Sequence, residues 1–148
     1  MSTKIDDLKP TMQVKVRTML SLIRIPYVVT STLRTTDEQI AYYAQGRAPL
    51  EIVNLLRKHA GMGPTTEGEN AKTITKADGV NTPSNHQGGW AVDVVPAGIN
   101  GTPIWPHPAD PRWEKIGQAG EAAGLDWGGR WVSFIDHPHF EMPKGARV

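Results

Sequence analysis

The chain has 148 residues, with 16 Lys and Arg against 15 Asp and Glu and no cysteine. That length suits a single domain spanning residues 1–148 and leaves none for a second module. A net charge of +1 gives no reason to expect nucleic acid, and without cysteine there is no disulfide, thiolate ligand or cysteine nucleophile, so a metal site must be built from His, Asp and Glu.

Residues 1–60 carry nine basic and five acidic groups, a mild excess that fits an anionic polymer and a scattered solvated face equally well. The apolar residues between Met12 and Ile25 are broken by Lys15, Arg17 and Arg24, so they read as neither a secretory signal nor a membrane span. Pro10 suits a first helical turn, and Met12, Val16, Met19, Leu20 and Ile23 recur at helical spacing, which predicts an amphipathic helix over 10–24. Pro26 stops it, and Tyr27–Thr32 is β-branched and aromatic enough for a first strand, with Arg34 just past its end.

Thr36 with Gln39 reads as a capping box, Asp37 and Glu38 suit the positive end of the helix dipole, and Gly46 closes that helix with Arg47 on the exit turn. A third helix is expected from near Pro49 to Gly61, packing Ile52, Val53, Leu55 and Leu56. Residues 61–83 read as a long irregular loop anchored by Ile74 and Val80, and residues 96–111 as another loop. Asp110 caps and Pro111 starts a last helix, with Trp113, Ile116 and Ala123 on its packed side and Gly124 at its end. Trp127–Trp131 is a turn, and Trp131–Ile135 is strand-like. The order of elements predicts a small α+β domain with an antiparallel sheet.

Chemistry concentrates in two stretches. In Ser84–Pro96, His86 precedes a glycine turn, and strand alternation sets Ala91 and Asp93 on one face with Val92 and Val94 on the other. An inward carboxylate is costly unless paired or bound to a metal, and Gly88 and Gly89 allow a turn that brings His86 beside it. The second stretch packs Asp136, His137, His139 and Glu141 into six residues. A catalytic zinc needs three protein ligands and a carboxylate to take the proton of its water. His86, Asp93 and His139 can be the ligands, with Asp136 as the base.

These residues resemble the zinc D,D-carboxypeptidases and L-alanyl-D-glutamate endopeptidases that cut peptidoglycan stem peptides, including phage endolysins. The family signature Ser-x-His-x-x-Gly-x-Ala-x-Asp is matched by Ser84, His86, Gly89, Ala91 and Asp93, and its acid three residues before the last zinc histidine by Asp136 and His139. Arg34 and the segment Tyr43, Ala44, Gln45, Gly46 and Arg47 match further family features, so the likeness runs from Leu8 to Glu141. The resemblance implies a hedgehog/D,D-peptidase-like fold, Zn²⁺ held by His86, Asp93 and His139, and Asp136 as catalytic base. It also implies that Arg34 contacts the substrate carboxylate or the developing oxyanion.

Asp136 has a second reading, as a partner orienting a zinc histidine. Gln45, Arg47 and Ser84 either bind substrate or shape their turns. His137 is the rival to His139; His59 and His107 default to the surface, and Glu141 to a place behind the metal ligands. Trp105, Trp127 or Trp131 could line a groove. The expected activity is L-alanyl-D-glutamate endopeptidase, endolysin-like, with D-alanyl-D-alanine carboxypeptidase as the alternative. A non-catalytic zinc-stabilised binding module is opposed by the acid at 136, and a glycosidase by the lack of a carboxylate pair across a groove. The expected partner is the peptidoglycan stem peptide, with no nucleic acid and no membrane insertion. The protein is expected to be a monomer, made in the bacterial host cytoplasm and released to the wall by a separate pathway such as a holin.

Overall fold

A computed structural model describes residues 1–148. In chain order the elements are α1 Pro10–Leu22, β1 Tyr27–Ser31, α2 Thr36–Ala44, α3 Leu50–His59, α4 Glu67–Asn70, β2 Ala91–Pro96, α5 Pro111–Ala122, β3 Asp126–Trp127 and β4 His139–Glu141. They fall into two compact units, one of Met1 with Arg34–Gly88, the other of Ser2–Leu33 with Gly89–Val148.

The larger unit holds the sheet, antiparallel throughout in the order β1-β2-β4-β3. The expected α+β architecture is therefore present. Its core joins Met12, Val16 and Met19 of α1 to Trp113, Ile116 and Ala119 of α5 over Val92, Val94, Phe140 and Trp127 of the sheet. Burial of a residue such as Phe140 contributes about 1.5–3 kcal/mol, so this apolar layer fixes the strand register. As a central strand, β2 is covered on both faces: Ala91, Val92, Val94 and Val95 are all buried, and only Asp93 keeps partial exposure. Simple inside–outside alternation thus does not describe it. Gly89 precedes this strand at φ +75, and a Cβ there would stand 3.2 Å from the Lys9 amide nitrogen, which donates to the Gly89 carbonyl. Glycine meets both demands.

The smaller unit has few apolar anchors; Ala41 and Val53 are buried beside Glu38, Gln39, Gln45 and Thr65. Side-chain amides hold it instead. Asn54 accepts from the Thr65 amide at 2.8 Å, Gln45 donates to the Glu69 carbonyl at 3.0 Å, and Asn70 accepts from the Gly46 amide at 2.9 Å. Such bonds satisfy backbone groups that loop structure leaves without ladder partners.

Several local expectations shift. The first helix stops at Leu22, because Ile23 is already extended ahead of Pro26. The capping box lies one residue earlier than expected, on Thr35 and Glu38, because Thr35 is the extended residue and Glu38 reaches back to its amide at 3.0 Å. Glu38 also takes the N-terminal ammonium at 2.6 Å. Helix α3 buries only Val53; Leu55 is 63% exposed, and Ile52 is exposed too. The loop over 61–83 contains the short helix α4, capped by Thr66. Residues 131–135 form no strand: Val132 is fully exposed, Phe134 takes φ +52, and β3 already occupies the β4 edge they would need. Pairing overrides β propensity there.

Candidate metal centre

Strand pairing assembles half of this centre. In the β2–β4 register Asp93 lies directly opposite His139, a placement that brings Cβ atoms to about 4.5–5.5 Å. The His139 Nδ1 stands 3.4 Å from Asp93 Oδ1. Residues two apart on a strand share a face, and Glu141 accordingly meets the far side of the same ring, its Oε1 2.8 Å from Nε2. The turn before β4 is pinned from three directions. The Val94 amide donates to the Pro138 carbonyl at 2.9 Å, Trp127 Nε1 to the His137 carbonyl at 2.7 Å, and the Asp136 amide to the Gly128 carbonyl at 3.1 Å. Asp136 in turn accepts the His139 amide at 3.2 Å, and the Trp131 ring lies 5.3 Å from that of His139.

His86 arrives from a turn of its own. Ser84 accepts the His86 amide on its hydroxyl at 3.2 Å, and the Arg34 amide donates to the His86 carbonyl at 3.2 Å. His86 is buried. One ligand atom from each of His86, Asp93 and His139 lies within 4.8 Å of the others. Bonds to zinc are about 2.0–2.2 Å, so tetrahedral ligand atoms stand ~3.4 Å apart, the separation at which His139 Nδ1 and Asp93 Oδ1 already lie. The electrostatics fit a cation as well. Burial opposes charge on His139, but the hydrogen bonds with Asp93 and Glu141 and the charges of Asp93 and Asp136 outweigh it and lift the imidazole to about 10. The negative charge of Asp93 and Asp136 around the ring is what a cation would meet there.

Residues 78–142 match a family model described as D-alanyl-D-alanine carboxypeptidase. That span contains His86, Asp93, Asp136, His139 and Glu141. The chain is also 29% identical, over 124 residues, to the peptidoglycan L-alanyl-D-glutamate endopeptidase CwlK of Bacillus subtilis (strain 168); the match covers 80% of this chain and 61% of that protein. Among solved structures, the L-Ala D-Glu endopeptidase ChiX of Serratia marcescens superposes with a TM-score of 0.59 at 21% identity, covering 94% of this chain and 83% of that one. The vancomycin resistance D,D-pentapeptidase VanY from a VanB-type cassette, solved with Zn(II), gives a TM-score of 0.54 at 17% identity, covering 91% and 72%. The fold is therefore the D,D-peptidase-like fold that the resemblance implied.

The remaining expected site residues have well-defined surroundings. Arg34 donates from Nη1 to Gln39 Oε1 at 2.7 Å, with its guanidinium carbon 4.6 Å from the Tyr42 ring centroid. Gln45 is buried against the Glu69 carbonyl. Arg47 donates to the Tyr43 carbonyl at 2.8 Å and covers the Tyr43 ring at 3.9 Å. His137 lies 5.6 Å, ring to ring, from Trp113, packed on the core side of its turn. His59 is exposed 3.6 Å from Asp37, and His107 accepts the Ala109 amide.

Two glutamines brace the segments that carry Arg34 and His86, a role their sequence positions do not signal. Gln87 accepts from the Ser84 amide at 2.8 Å and donates to Thr36 Oγ1 and the Gly79 carbonyl, so it braces the turn that carries His86. Its signal was faint, a polar residue at a variable position of the signature. Gln39 holds Arg34, and the displaced capping box hid it, since assigning Gln39 to the cap gave its side chain another task.

Proposed function

We propose that this chain is a zinc-dependent peptidoglycan stem-peptide hydrolase, an L-alanyl-D-glutamate endopeptidase working as one catalytic domain. The observation that carries the reading is the meeting of His86, Asp93 and His139, with Asp136 close enough to influence the charge of His139. The likeness to the Bacillus and Serratia endopeptidases supports the choice of bond.

Zinc bound by His86, Asp93 and His139 would supply a Lewis acid and lower the pKa of a water toward about 7. Asp136 takes the proton as water attacks the scissile carbonyl and returns it to the departing amine nitrogen, so the C–N bond breaks with protons balanced. Glu141 accepts the Nε2 hydrogen of His139 and keeps Nδ1 turned toward Asp93. The Arg34 guanidinium, a planar fork of donors that stays charged, holds a substrate carboxylate or the developing oxyanion. In stem peptides D-glutamate is linked onward through its side chain, so an α-carboxyl can be present in mid-chain. An arginine thus serves an endopeptidase as well as a carboxypeptidase.

D-alanyl-D-alanine carboxypeptidase is the second reading, favoured by the description of the matching family model and by the VanY likeness. Digestion of purified peptidoglycan, with the new termini identified by mass spectrometry, separates them. The endopeptidase leaves L-alanine C-termini on the glycan side and D-glutamate N-termini on the released peptide. Free D-alanine as the sole product overturns it. By the family resemblance we further propose a monomer, made in the host cytoplasm, that reaches the wall by a separate release pathway.

A further inference from the structure

We propose that Gln39 is the positioning residue for Arg34, coupling its guanidinium to the loop segment Thr75–Gly79 that runs on to His86. The inference rests on the reading above only for what Arg34 does; the clamp itself rests on geometry. Gln39 is fully buried on α2. Its Oε1 accepts from Arg34 Nη1 at 2.7 Å, while Nε2 donates to Thr75 Oγ1 at 3.2 Å and to the Ala77 carbonyl at 2.8 Å. Those contacts use both amide hydrogens and the oxygen, and they fix the orientation: a flipped amide would set its NH₂ against the guanidinium donors and its oxygen against the Ala77 carbonyl. The backbone of the loop closes directly over the side chain, since a Cβ at Gly79 would lie 3.0 Å from Gln39 Cγ. The Tyr42 ring covers the guanidinium at 4.6 Å, and the Arg34 amide holds the His86 carbonyl at 3.2 Å.

The choice of an amide has a chemical reason. A glutamate at this position would also accept from Nη1, but it would set an oxygen against the Ala77 carbonyl, and it would pair with the guanidinium and weaken its pull on a carboxylate or oxyanion. Glutamine orients the arginine and leaves its charge directed at substrate. Orientation matters on this scale because misplacing a binding group by about 1 Å can cost ~100-fold in rate.

The test combines a double-mutant cycle with a spectroscopic readout on the full-length zinc protein. Gln39→Met should lower kcat/KM on a stem-peptide substrate by roughly 10- to 100-fold with zinc content unchanged, but by less than about 2-fold in an Arg34→Met background. An equal loss in both backgrounds, or none in either, overturns the proposal. Independently of activity, side-chain NMR of arginine-labelled protein should show hindered rotation of the Arg34 guanidinium that Gln39→Met releases. Freely rotating Arg34 in the wild type overturns the clamp, whereas a wild type with a hindered Arg34 and no peptidase activity overturns the functional reading and leaves the clamp standing. If Gln39→Met does not fold, the rotation of Arg34 in the wild type still decides the clamp.

Discussion

Removing the Glu141 carboxylate should weaken zinc binding at the proposed centre without touching any of its three proposed ligands. Glu141 Oε1 lies 2.8 Å from His139 Nε2, with the two side chains only 13% and 9% exposed, so solvent screens the contact little. A hydrogen bond to a charged group in such a setting contributes about 1.5–3 kcal/mol, and loss of a partner behind a metal histidine typically costs about 10- to 100-fold in metal affinity. Arg147 pushes the expectation toward the upper end. Its Nη2 lies 3.5 Å from Glu141 Oε2, and its Nε is tied to the Met142 carbonyl at 3.0 Å, so Glu141→Ala leaves that cation in place with less to oppose it. We expect Glu141→Ala to lose about 30- to 100-fold in zinc affinity, and Glu141→Gln, whose amide oxygen still accepts the Nε2 hydrogen, about 10-fold or less. Competition against a chromogenic chelator at pH 7, with thermal melts to verify folding, measures both. A Glu141→Ala affinity within twofold of wild type, or a Gln variant weaker than the Ala variant, refutes the reasoning.

Asp136→Asn keeps shape and removes the basic oxygen, so turnover should fall by about 100-fold or more with zinc still bound; near-normal turnover would move the base elsewhere. His139 should give a proton signature. Its folded pKa is raised to about 10 from an ordinary 6.5, so in metal-free protein its contribution to stability is fully present below about 6.5 and lost as pH rises through about 10. Zinc takes that proton's place, so calorimetric titration at pH 7 in buffers of different ionisation enthalpy should report release of about one proton, and no release would contradict the assignment. Gly46→Ala should destabilise the fold by about 2 kcal/mol or more, read from a urea midpoint. The residue sits at φ +80, and its Cβ would stand 2.6 Å from the Lys72 carbonyl carbon, a backbone atom with no easy way to move.

The residues proposed for the metal centre stand out in the sequence because each lies in a short, locally marked stretch. Asp136 and His139 are separated by one tight turn, closed by the His139 amide on the Asp136 carbonyl at 3.2 Å, so short-range spacing relates that pair. The helices of the larger unit were legible through their stripes: Met12, Val16 and Met19 face the core as expected, and so do Trp113 and Ile116. The smaller unit resisted because its order comes from amide-to-backbone bonds across 11 to 38 positions, as in Asn54 with Thr65 and Gln39 with Ala77. Polar residues in loops carry no periodicity, and their partners cannot be read from spacing. Trp131–Ile135 misled for the opposite reason. Its composition suits a strand, yet composition does not say which edge remains to pair with, and Asp126–Trp127 holds it.

The strand pairing explains why the centre needs so little sequence to specify it. One register, Asp93 opposite His139 and Ala91 opposite Glu141, sets the Asp93 carboxylate on one side of the imidazole and the Glu141 carboxylate on the other. A slip of one residue would turn His139 and Glu141 together to the opposite face and replace them with Phe140. The buried Phe140, stacked 6.4 Å from Trp127 and packed in the apolar core, makes that slip costly, because it would move a large aromatic out of the core and carry two polar side chains into it. The hydrophobic core thereby enforces the placing of these side chains: β4 alternates His139, Phe140 and Glu141, and the anchored aromatic in the middle holds the other two in place.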